Sequence, residues 1–132
     1  MTIPDWSAGL ADPHPVREVL GSPPPPLTDY GLISVHIDER ESSVTLAFFA
    51  FGVPAGAAAQ WEARGHNAVE FFLKCTGVED LAVDGWSTGP FTFASLTGGS
   101  HVEVRGEGSR LSFRAAHIGA DAPVGRLASR TP

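Results

Sequence analysis

The stretch Trp61-Glu-Ala-Arg-Gly-His-Asn-Ala-Val-Glu-Phe-Phe-Leu-Lys-Cys-Thr-Gly-Val-Glu-Asp-Leu-Ala-Val-Asp-Gly-Trp86 holds two strand-like runs that meet at Gly77 between two tryptophans. From His66 it runs as a strand: Val69, Phe71, Leu73 and Cys75 alternate with Glu70, Phe72, Lys74 and Thr76. That is the spacing at which successive side chains point to opposite faces of a sheet. After the Gly77-Val-Glu-Asp80 connection, Leu81 and Val83 resume the alternation up to Asp84-Gly85-Trp86. Two strands joined at Gly77 and bracketed by tryptophans read as sheet framework, and no catalytic constellation falls in or around them.

The same rhythm extends outward in both directions. Upstream, Ile33, Val35 and Ile37 alternate with Ser34, His36 and Asp38, and Val44, Leu46 and Phe48 take the pattern up again after Glu39-Arg-Glu-Ser42, which predicts a hairpin. Phe49 and Phe51 face the other way, so the second strand is expected to be central or covered on both faces. Gly52 to Gly65, with Pro54 and an alanine run, reads as a loop with one helical turn. Downstream, three strands are predicted at Phe91 to Leu96, His101 to Gly106 and Arg110 to His117, separated by glycine-containing connections. Near the N-terminus, Asp12 as a cap, Pro13 at the first helical position and Gly21 as a stop enclose Val16, Val19 and Leu20 on one apolar stripe, a short helix suited to docking on a sheet. Trp6 is expected to pin the segment before it, and Pro23 to Pro26 form a rigid connector that cannot donate backbone hydrogen bonds. The tail beyond Gly119 is expected to fray or to add one edge segment. The fold class is therefore mainly β, an antiparallel sandwich or strongly curved sheet of about seven strands with one short N-terminal helix. It is expected as one domain: helix and connector over 1–26, β body over 27–119 and tail over 120–132.

Composition sets the limits on function. The 132 residues carry a formal net charge of -6, which repels polyphosphate and anionic lipid, so neither a nucleic acid nor a membrane is an expected partner. No apolar run approaches the ~20 residues of a membrane span, and Met1-Thr-Ile-Pro-Asp-Trp6 has no leader-like pattern, so a soluble cytoplasmic protein is expected. The single cysteine, Cys75, excludes an internal disulfide and lies on the apolar face, where a thiol behaves as a small hydrophobe.

Candidate sites are few. Histidines at 14, 36, 66, 101 and 117 lack metal-ligand spacing, no nucleophile elbow or phosphate loop is present, and no cofactor or catalytic residue is assigned. The acids Asp38, Glu39 and Glu41 fall in one turn, with Glu79, Asp80 and Asp84 in a second group; they read either as solvated turns or as an edge for a basic partner. Trp61, Asn67 and Trp86 read either as a recognition patch or as framework, with the rings capping the core and Asn67 closing a turn on its neighbouring backbone.

The positions Trp61, Gly65-His-Asn67, Val69, Leu73, Gly77-Val78, Leu81 and Gly85-Trp86 resemble the immunity-protein-50 family of bacterial polymorphic toxin systems. The resemblance extends from Trp6 to the last β-run near Phe113, while Pro23 to Pro26 and Gly56 to Ala59 depart from it. It implies a small intracellular β protein that is not an enzyme and neutralises a cognate toxin by occlusion. The expected partner-binding residues are Asp38, Glu39, Glu41, Trp61, Asn67 and Trp86. The alternative from the residues is a β domain that binds a small molecule in an apolar pocket between its sheets, lined by phenylalanines and Trp86. An apolar edge strand would also suit pairing with a second copy in a homodimer.

Overall fold

The structure, a computed structural model, describes residues 5–85, 91–97 and 101–128. Two antiparallel sheets pack as a sandwich. The first has the order β1 (Gly31–Asp38), β2 (Ser43–Phe51), β3 (Ala68–Thr76) and β8 (His117–Gly119), with β9 (Val124–Arg126) also pairing with β3. The second runs β4 (Glu79–Asp84), β7 (Ser109–Arg114), β6 (His101–Gly106) and β5 (Phe91–Thr97). The predicted hairpin is β1–β2, closed by Asp38 opposite Ser43, and β2 is central as expected, with Phe48 opposite Phe71 on β3.

Nine strands form among the described residues where about seven were expected. The predicted run Arg110 to His117 divides at Ala115-Ala116, with β7 in one sheet and β8 in the other. This corner is built from small groups. The Ala116 N–H donates to Thr76 O at 2.9 Å, and a Cβ placed on Gly77 (φ +62°) would come within 2.7 Å of Ala116 Cβ. Only a residue that lacks a side chain and tolerates positive φ lets the β3–β4 connection pass so close to the β7–β8 corner. The other added strand is the tail, which pairs Val124 to Arg126 with β3 instead of fraying.

The helical parts close one side of the sandwich. Helix α1 (His14–Leu20) is capped at Pro13, one residue later than expected, with the Asp12 carboxylate accepting the His14 N–H at 3.1 Å. Its Val16 and Leu20 are buried in the core cluster, and it packs against the turn at Ala55–Ala57 that leads into α2 (Ala58–Ala63). Arg17 of α1 reaches back to the Trp6–Gly9 turn: its Nε donates to Ser7 Oγ at 2.9 Å and its Nη2 to Asp5 Oδ2 at 3.0 Å. Trp6 pins the proline connector, its Nε1 donating to Pro25 O at 2.8 Å.

One hydrophobic cluster joins these segments to both sheets. Phe71 is its hub, stacked on Phe48 at 5.2 Å and Trp6 at 5.5 Å, with the Tyr30 ring edge-on at 5.0 Å. Offset and edge-on aromatic contacts of this kind add to the gain from burying the rings. Phe48, Phe71 and Phe113 are fully buried and fill the space between the sheets, so the phenylalanine-lined internal pocket expected for a small-molecule binder is occupied by the protein's own core.

Candidate functional site

Register separates two kinds of core-facing residue. Val35 lies opposite Leu46 and Ile37 opposite Val44, so all four share the inner face of their sheet. Leu46 and Val44 are 1% and 0% exposed, whereas Val35 and Ile37 are 38% and 45% exposed. The same split occurs across the sandwich, where Val83 is 59% exposed although its partner Leu111 is 5% exposed. The two sheets therefore do not overlap completely. Edge strands β1 and β4 project past the opposing layer, and their inner faces remain open on that side.

A cavity of about 310 Å³ lies where these edges approach, lined by Ile37, Val44, Val78 and Leu81 with Asp38, Glu39, Ser42 and Ser43 at its margin. The Val78 N–H donates to Ser42 O at 2.9 Å and ties the start of β4 to the β1–β2 turn. The rim is acidic. Asp38 Oδ1 accepts the N–H groups of Arg40 and Glu41 at 3.0 and 3.2 Å, which shapes the turn. Glu41 pairs with Lys74 at 3.5 Å, and Arg114 Nη2 bridges Asp80 at 2.7 Å and Glu79 at 3.4 Å. Side chains at these pairs are largely exposed, where such bridges contribute little to stability. Glu39 has neither hydrogen bond nor ion pair on its side chain among the described residues.

Of the six expected partner-binding residues, Asp38, Glu39 and Glu41 come together at the β1–β2 turn, with Asp38 and Glu39 at the cavity margin and Glu41 paired with Lys74. Trp61 and Asn67 lie elsewhere, where the C-terminal segment meets β3. Trp61 is 7% exposed in the core cluster, with the His66 ring edge-on at 6.5 Å. Asn67 bonds not to its neighbouring backbone but to a distant residue. Its amide donates to Ala128 O and accepts the Ala128 N–H, both at 2.8 Å. Trp86 lies outside the described residues.

Ile37, Val78 and Leu81 line the groove and were not singled out as site residues by sequence reasoning. Alternation reports which face a side chain shares, and the opposing layer that would cover that face has no local signature. Phe51 faces away from Phe48 as the alternation predicts, and it stands exposed with Phe72 on the outer face of the first sheet. Among the described residues no three His, Cys, Asp or Glu side chains converge as a metal site, and burial pushes the Cys75 thiol up to about 12. No described helix is long and apolar enough to cross a membrane.

The chain folds as a two-layer antiparallel β sandwich with an apolar groove at one open edge and Asp38 and Glu39 at its margin. The family model described as immunity protein 50 matches residues 12–123, most of the chain, and the protein belongs to that family, as the framework positions around Trp61 to Gly85 anticipated. No curated relative and no solved structure matches the chain.

Proposed function

We propose that this protein is a toxin-neutralising immunity protein that acts by occlusion and without catalysis, covering a basic surface of its cognate toxin in the cytoplasm. The observation that carries this reading is the open side of the sandwich: core-facing Val35 and Ile37 lie uncovered beside an acidic turn. A cationic toxin surface would be drawn to Asp38, Glu39 and Glu41, which speeds encounter. An apolar side chain from that surface, seated against Ile37, Val44 and Leu81, would then slow dissociation. Shape and charge together would do the work, consistent with membership of an immunity family.

The direct test is co-expression with the toxin encoded by the adjacent reading frame. A stable complex and loss of toxicity are expected, and Glu39→Lys should slow association by about tenfold at low salt, with the difference shrinking as salt is added. A neighbouring gene without toxin activity, or a toxin that remains active with the protein bound in excess, would overturn the proposal. A rival occupant of the same groove is a small apolar ligand, since about 310 Å³ suffices for one. Reproducible thermal stabilisation by a metabolite library, absent with toxin, would favour that rival.

A further inference from the structure

The free edges of the two sheets are protected very unequally. A sheet edge presents unpaired N–H and C=O groups, and proteins normally blunt it with short strands, charges, prolines, bulges or covering segments. Strands β8 and β9, along the far side of β3, are only three residues each. Strand β4 carries Glu79, Asp80 and Asp84, with a bulge between Glu79 and Ala82. Strand β5 is packed by the turns at Trp6–Gly9 and Leu27–Asp29. Strand β1 has eight residues, no proline, no lysine or arginine, and no charge before Asp38. Its bulge between Leu32 and Ser34 leaves Ser34 to Asp38 in regular register with Ala47 to Ser43, a straight edge of five residues.

We infer that the β1 edge accepts an added strand from a basic partner, with backbone hydrogen bonds to Ser34 through Asp38 and an apolar side chain from that strand packed beside Val35 and Ile37. This deepens the toxin-binding reading and rests on it. Strand addition draws affinity from main-chain hydrogen bonds and specificity from alternate side chains, and β1 offers both. Charge selects the occupant. The edge ends at Asp38 and the turn begins at Glu39, so a lysine or arginine near that end of the incoming strand meets the Glu39 carboxylate, which has no side-chain partner among the described residues. A second copy of this chain brings the same acidic turn and the same net charge of -6, and is disfavoured.

Amide hydrogen exchange on the full chain, free and bound to the adjacent-frame toxin, tests the inference. In an antiparallel pair alternate residues point their N–H groups away from the partner strand, so every second amide of Ser34 to Asp38 should exchange quickly in the free protein. Binding should slow those amides by about a hundredfold or more, as hydrogen-bonded edge amides join the protected ladder. Val35→Lys, an inward-facing charge on the edge, should weaken binding by at least about tenfold. If that variant fails to fold, the exchange pattern of the unsubstituted protein still decides. A complex in which these amides keep their free exchange rates overturns strand addition and leaves toxin binding standing. Failure of any complex to form removes the toxin-binding reading itself. A concentration-dependent dimer that protects the same amides without toxin would instead assign the edge to a second copy.

Discussion

At the scale of single residues, the fold hangs on a few contacts that can be cut separately. Phe71 touches aromatic rings from three other segments, so Phe71→Ala removes a shared partner and leaves a cavity. A loss of about 3 to 5 kcal/mol in unfolding free energy by denaturant titration is expected. Asp5 gives a pH signature. Partial burial pushes its carboxyl pKa up, but the Ser7 hydroxyl and N–H and the Arg17 guanidinium outweigh that and hold it below the ordinary 3.8. A pKa lower in the folded state means stability that is present above the unfolded value and lost as pH falls through the folded one. Asp5→Asn should therefore lower Tm at neutral pH, and the gap to the unsubstituted protein should narrow as pH falls below about 3.8. The alternation of Phe71 with its neighbours was legible in the chain. Its stacking on Trp6, separated by a helix, a proline connector and a hairpin, was not, because no local pattern encodes which distant ring arrives.

At the scale of elements, the C-terminal segment is held as a strap. Strand β9 pairs with β3, Asn67 makes two hydrogen bonds to Ala128, the Asn67 N–H donates to Arg126 O at 2.9 Å, and Arg126 pairs with Glu70 at 3.1 Å. Gly125 permits the close fit, since a Cβ there would collide with the His66 and Trp61 rings. Asn67→Ala leaves both Ala128 backbone groups without their side-chain partner, and should free residues near 124–128 for fast amide exchange while costing about 1 to 3 kcal/mol. Exchange rates confined to that segment, with β2 and the rest of β3 unchanged, would verify a local strap. The hairpin, the helix near 14–20 and the Gly77 connection could be read from period and turn residues. The division at Ala115-Ala116 could not, because an apolar alternation continues through a corner even when the strand changes sheet.

At the scale of the whole molecule, the core is dense enough to hide the only thiol. Cys75 is fully buried, and burial raises its thiol to about 12, so a thiol reagent at neutral pH should label it only as fast as the sandwich opens. Rapid labelling without denaturant would contradict the close packing of β3 against β8. The mainly antiparallel architecture, the family, the acidic balance and the grouping of Asp38, Glu39 and Glu41 were all legible along the chain. These follow from side-chain period, framework residues and charge, all properties of neighbours along the chain. Folding in three dimensions was needed to place Trp61 and Asn67 against the C-terminal strap, and to leave Val35 and Ile37 facing inward yet uncovered. Those outcomes depend on how far one sheet extends over the other, a relation between distant segments that packing settles and local sequence does not record.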